Sequence, residues 1–140
     1  MRDRQLAGRM YVLHEHALHA TSWDIPSIAG LMRMPQVQLA EGDQCQFGAE
    51  VRKGPMLGFP VKTPIGFLTN PDELYEVLSK RCTGHRGLCS RPGGGQHVQC
   101  SGRIAREADI YPRGLCKAVL RGIRNQLRTD GLLEDGCYGI

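Results

Sequence analysis

Met10, Tyr11, Val12 and Leu13 form an apolar run within Arg9 to His14, the pattern of a buried strand near the start of the chain. Ile25, Ile28 and Leu31 or Met32 then recur at helical spacing, which predicts a helix over 26–33 with Asp24 near its start and Pro35 as its stop. Val37 and Leu39 alternate with Gln38 and Ala40, and Ile65, Phe67 and Leu68 supply a second β-prone run. Between them lies a break holding Gly48, Gly54, Pro55, Gly58 and Pro60, so residues 37–70 read as a strand pair joined by a long, turn-rich loop. Asn70 as N-cap, Pro71 at the first helical position and Asp72 and Glu73 in the first turn predict a second helix. Its stripe is Leu74, Val77 and Leu78, with Lys80 and Arg81 in its last turn and Gly84 as its end. Residues 82–102 show no period and read as an irregular loop. Pro112 opens the last helix, in which Leu115, Val119, Ile123 and Leu127 recur every four residues with Cys116 and Leu120 beside them; Gly131 closes it. The tail 130–140, with Cys137, is expected to fray. The order of elements is that of an α/β chain, read as one domain over 1–140.

The 140 residues are 41% hydrophobic, enough to bury a core, and no run of 18 apolar residues occurs. Arg2, Asp3, Arg4 and Arg9 leave no apolar stretch for a secretory signal near the N-terminus. Six Cys at irregular spacing without such a signal read as reduced thiols in an intracellular setting, some of them metal ligands. In a eukaryote that setting would be the nucleus. Net charge is +4, but residues 80–128 hold eleven Lys and Arg against Glu107 and Asp109, for +9, while the other 91 residues net −5. This asymmetry points to a polyanion, DNA first, with a solvated basic face as the alternative. Arg113, Lys117, Arg121, Arg124 and Arg128 form the basic stripe of the last helix.

Cys82, His85, Cys89, His97 and Cys100 offer five soft or borderline ligands within 19 residues, against the four that tetrahedral zinc requires. Cys82/His85 and His97/Cys100 are the close pairs, with Cys89 competing with His85. The spacing matches no common finger, so buried Cys and loop His without metal are the alternative. His14-Glu15-His16 with His19 does not make a zincin motif, because Leu18 stands where the second His is needed. Glu15 instead reads as a carboxyl group able to hydrogen-bond a base or act as an acid, or else as a solvated turn residue. Gly93-Gly94-Gly95 lacks the spacing of a nucleotide loop and reads as a turn.

In their order these elements resemble the C-terminal half of a cytosine-C5 DNA methyltransferase domain, in the divergent form associated with phage and retroelements. The likeness runs over residues 8–127. It is carried by Tyr11 to His16, Asp43-x-Cys45-x-Phe47-Gly48, Lys62-Thr63-Pro64 followed by Thr69-Asn70, then Cys82, His97 and Tyr111-Pro112-x-x-Leu115-Cys116. Ala17 stands where the family has Pro, and Lys62-Thr63-Pro64 transposes Lys-Pro-Thr.

The resemblance implies a partial Rossmann-like methyltransferase sheet with flanking helices, its strand ends on one edge of a parallel-type sheet. It implies that Glu15 binds a flipped cytosine, that Lys62 helps hold it, that Asp43 and Cys45 line the substrate pocket and that Tyr111 and Pro112 lie near S-adenosylmethionine. The family's nucleophilic Cys and its cofactor loop precede the Glu-bearing strand, and no match to either stands in this sequence. The resemblance therefore implies a truncated domain, missing its N-terminal half and inactive alone. From a different class comes the alternative expectation of a zinc-containing nucleic-acid-binding module of a retroelement-type polyprotein, with the arginine stripe tracking phosphates.

Overall fold

A computed structural model describes residues 10–133; the residues expected to fray beyond 133, Cys137 among them, lie outside the described residues. Three strands, β1 (Leu13–Ala17), β2 (Gln38–Asp43) and β3 (Pro64–Thr69), form a sheet in the order β1–β3–β2. Four α-helices pack on it or beside it: α1 (Pro26–Met32), α2 (Asp72–Leu78), α3 (Gly102–Glu107) and α4 (Arg113–Thr129). The chain is therefore mixed α/β. Both β1 and β2 run antiparallel to β3, which does not match the parallel sheet that a Rossmann-like methyltransferase would bring.

β3 is buried along almost its whole length, so its two faces seed two cores. Ile65 and Phe67 join Ala40, Phe47, Leu74, Leu78, Leu115 and Ala118 beneath α2 and α4. Leu68 joins Val12, Ile28, Leu31 and Val37 beneath α1. The alternation of side chains along β1 follows the same division. Glu15 is paired with Phe67, on the face of α4, whereas His14 and His16 flank Trp23 at centroid distances of 5.6 and 6.5 Å.

Several boundaries differ from the sequence pattern, each for a local reason. The first strand begins at Leu13 rather than Arg9, because Met10–Val12 is tied to the end of β3 by side chains. Asn70 Oδ1 accepts the Val12 amide at 2.7 Å, Asn70 Nδ2 donates to the Met10 carbonyl at 3.0 Å, and Thr69 Oγ1 donates to the Val12 carbonyl at 2.7 Å. Glu15 consequently lies in the middle of an edge strand and not at a strand end. Asn70, so engaged, does not cap α2; Pro71 occupies the N-cap in extended conformation. α2 ends at Leu78, short of the expected Lys80 and Arg81, since the Lys80 carbonyl accepts the Asp43 amide at 2.9 Å and Arg81 turns to the Asp43 carboxylate. The stretch expected to be irregular ends in α3, whose Ile104 packs on Val51, Val61 and Val98.

α4 follows the predicted span, but its buried face is shifted. Leu115, Ala118 and Gly122 are its buried positions, and Val119, Ile123 and Leu127 are only half-buried. The closest approach falls on the small residues: a Cβ at Gly122 would stand 2.8 Å from both Leu74 Cδ2 and Val77 Cγ2. Ridges of large residues then flank the contact rather than fill it.

Candidate metal centre

Cys45, Cys82, Cys89 and His97 place one ligand atom each within 4.8 Å of all the others. Three segments deliver them. β2 ends in a tight 3₁₀ turn, Gln44–Phe47, that carries Cys45 into the interior. Cys82 stands just after α2, held by its amide, which donates to Asp43 Oδ2 at 2.7 Å. Cys89 and His97 sit diagonally on the two arms of a small hairpin in which Leu88 bridges Gln96. Its rungs are Cys89 N to the Gly95 carbonyl at 2.8 Å and His97 N to the Gly87 carbonyl at 2.7 Å. Gly93, Gly94 and Gly95 all take positive φ and form the hairpin's turn, as a turn reading of the triplet expects. Arg91 anchors that turn through Gly94 and Gly58 carbonyls at 2.8 and 2.9 Å and Glu50 at 3.0 Å.

The sulfurs sit among hydrogen-bond donors. Gln46 Nε2 reaches Cys45 Sγ at 3.6 Å and Cys89 Sγ at 3.7 Å, the Arg91 amide reaches Cys89 Sγ at 3.5 Å, and Ser90 Oγ reaches Cys82 Sγ at 3.5 Å. His97 Nε2 lies 3.7 Å from Cys82 Sγ, which marks Nε2 as the nitrogen facing the sulfurs. Burial pushes the Cys45 thiol up to about 12, with the neighbouring Cys89 and Cys82 adding to the rise against a lowering bond from Gln46. Cys82 moves the other way, to about 7: burial raises it, but hydrogen bonds from Ser90 and Gly84 lower it further. Burial and the nearby Lys62 charge both lower His97, favouring the neutral imidazole a metal requires.

Three thiols and an imidazole are a donor set suited to zinc. In a tetrahedral zinc site, sulfurs at about 2.3 Å from the metal stand about 3.8 Å apart, so a spread of at most 4.8 Å closes on an ion with small side-chain movement. All four positions would be filled by protein. Such a site is structural, since it leaves no place for water or substrate.

The ligand set corrects the expectation drawn from spacing. Cys82, Cys89 and His97 are in it; His85 and Cys100 are not. His85 is exposed on the hairpin, and Cys100 Sγ accepts from Thr63 Oγ1 at 3.6 Å while packing against the Val51, Val61 and Val98 cluster. Cys45, which the resemblance assigns to a substrate pocket, supplies the fourth candidate ligand atom of the cluster. Asp43, assigned likewise, is wholly buried behind the centre, its Oδ2 shared by Cys82 N and Arg81 Nε. Lys62 is exposed and lies beside His97.

The C-terminal ends of β1 and β2 do meet at one end of the sheet, because both lie against the start of β3. Glu15 lines a cavity there with Gln44 and Tyr111, and Glu15 Oε2 accepts the Tyr111 hydroxyl. Pro112 is buried as the N-cap of α4.

Arg113, Lys117 and Arg121 line a groove with Lys80, Gln46 and Phe47. Lys117, Arg121, Arg124 and Arg128 line a second groove farther along α4. The helix start is pressed on the ligand-bearing turn: a Cβ at Gly114 would stand 2.2 Å from the Phe47 carbonyl oxygen. Gln46 therefore bonds the sulfurs on one side and borders the basic groove on the other. No helix among the described residues is long and apolar enough to cross a membrane. No protein-family model, curated protein or solved structure matches the chain.

Proposed function

We propose that the chain is a zinc-organised nucleic-acid-binding module. The observation that carries this reading is the position of Gln46, which joins a closed Cys₃His set to a groove lined by Lys80, Arg113, Lys117 and Arg121. Zinc fixes the 44–47 turn and the 82–97 segment, and α4 rests on that turn. The metal supplies folding energy, and the helix supplies charge. α4 holds five Lys and Arg and no acid between 113 and 129, so its exposed side attracts a phosphate backbone without reading sequence. DNA is the first partner to test. Reduced thiols suit an intracellular setting, nuclear in a eukaryote.

The test is fluorescence anisotropy of zinc-loaded protein with labelled DNA and RNA duplexes and single strands. Binding should weaken steeply with salt, and changing Arg113, Lys117 and Arg121 together to Glu should abolish it while one zinc equivalent is retained. Affinity unchanged by that triple change would overturn the reading.

The methyltransferase-like fragment stands as a second reading, favoured by one observation: Glu15, Gln44 and Tyr111 share a cavity at the sheet end. On that reading S-adenosylmethionine and a nucleophilic Cys come from a further N-terminal half. A transcript extending upstream in frame through a Pro-Cys motif tests it, and the antiparallel sheet weighs against it.

A further inference from the structure

The cavity at the end of β1 has the opposite character from the grooves along α4. It encloses about 320 Å³, at the small end of ligand-sized pockets. No Lys or Arg lines it, although the chain as a whole carries net +4. His16 and the Tyr111 hydroxyl aside, its polar lining offers acceptors. Glu15 contributes a carboxylate on which Tyr111 already occupies one oxygen, and Asp109 contributes a second carboxylate. Thr63 Oγ1 spends its proton on Cys100 Sγ and keeps its lone pairs. Gln44 lies between this cavity and one lined by Arg52 and Arg113; it is only 4% exposed, and its Oε1 has no hydrogen-bond partner. Its backbone is fixed by the Gln44 N–H, which donates to the Thr63 carbonyl at 3.0 Å. A buried amide oxygen without a donor is costly and calls for one.

We propose that this cavity binds a guanidinium group. A guanidinium is planar and always charged, and it presents five N–H donors in a fixed fork with no acceptor of its own. That matches a wall of two carboxylates, an orphaned amide oxygen and a hydroxyl oxygen. Phosphate is excluded by the sign of the lining. A metal ion is disfavoured, because among the described residues only the Cys₃His set brings three or more ligand atoms together. The group is either a free alkylguanidinium or an arginine side chain of a partner, and the chemistry of the wall is the same for both. The proposal does not rest on nucleic-acid binding and can fail without it.

The probe is ethylguanidinium chloride, titrated into zinc-loaded, ¹⁵N-labelled full chain and followed by amide shifts. Saturable shifts at Gln44, Thr63 and Tyr111 are expected, with a Kd of about 1 mM as suits roughly six heavy atoms. Ethylurea, neutral and isosteric, should give none, and ethylammonium should bind at least several-fold more weakly. Glu15→Gln combined with Asp109→Asn should weaken binding at least tenfold, and Gln44→Leu independently so, each with one zinc equivalent retained as the check on folding. A Gly-Arg-Gly peptide binding more tightly than ethylguanidinium assigns the site to a partner's side chain; weaker binding assigns it to a free cation. Shifts that never saturate, equal response to ethylurea or ethylammonium, or undiminished binding in the variants would overturn the proposal.

Discussion

Asp43 Oδ2 accepts the backbone amide of Cys82 at 2.7 Å across 39 residues of sequence. The same oxygen stands 3.3 Å from Arg81 Nε, and the carboxylate has no exposure to solvent. One buried acid at the end of β2 thereby fixes where the chain leaves α2 and sets the position of a thiol. Asp43 is placed to position Cys82 in the candidate metal centre, in the manner of the outer-shell groups that orient metal ligands.

Asp43→Asn should therefore lower zinc affinity without removing a ligand. The expected loss is about 10–100-fold, read by competition with a chromophoric chelator. Zinc stoichiometry should remain one. Unchanged affinity would show that the Cys82 position is set by the hairpin alone.

The ligand assignment separates cleanly by substitution. Cys45→Ser should abolish stoichiometric zinc and, with it, the cooperative thermal transition, since structural zinc contributes on the order of 10 kcal/mol to small zinc domains. His85→Ala and Cys100→Ser should leave one equivalent bound. Metal analysis after gel filtration decides it; zinc lost from His85→Ala and kept by Cys45→Ser would restore the assignment drawn from spacing.

Why spacing does not point to Cys45 is a matter of how the cluster is assembled. Cys45 stands 37 residues before Cys82, and the bonds from the Asp43 amide to the Lys80 carbonyl and from the Cys82 amide to the Asp43 carboxylate, with the turn after Asp43, bring them together. Local spacing can reveal a site built on one segment, not one closed by tertiary structure. The five candidates in 82–100 matched no common finger spacing, and nothing in that stretch pointed to Cys45. The strand pair across 37–70 and the last helix were legible, because alternation at Val37 and Leu39 and the four-residue recurrence from Leu115 are local properties. The exact face of α4 was not, since hydrophobic recurrence points to large residues and cannot show that Ala118 and Gly122 take the closest contact. α3 escaped notice because six residues with one apolar anchor, Ile104, carry almost no period.

That close contact is itself testable. Gly122→Ala gains helix propensity worth about 1 kcal/mol, but its methyl carbon would meet Leu74 Cα at 3.1 Å as well as the Leu74 and Val77 side chains at 2.8 Å. Backbone does not yield as a side-chain tip does, and overpacking costs about 1–3 kcal/mol, so the net effect should be destabilising. Gly30→Ala is the control. It lies inside α1 with nothing within 4 Å of the added carbon, and it should stabilise by about 0.5–1 kcal/mol. Urea melts of the two variants should move in opposite directions.

The charge of α4 makes a quantitative demand on any nucleic-acid complex. Its cations are spaced at four, four, three and four residues, from Arg113 to Arg128. On a helix that spacing keeps them along one side for about 22 Å at 1.5 Å per residue. Duplex phosphates on one strand recur closely enough for several of these groups to be engaged at once. If three to five phosphates are neutralised, the logarithm of the binding constant should fall against the logarithm of salt with a slope of about −3 to −4.5. Replacing Arg121, which borders both grooves, by Ala should reduce the magnitude of that slope by about 0.9 and weaken every sequence alike. Because Arg121 lies on the exposed side of the helix, thermal stability should stay within about 0.5 kcal/mol of the parent. A slope near zero, or a loss confined to one base sequence, would mean that the helix does not follow a phosphate backbone.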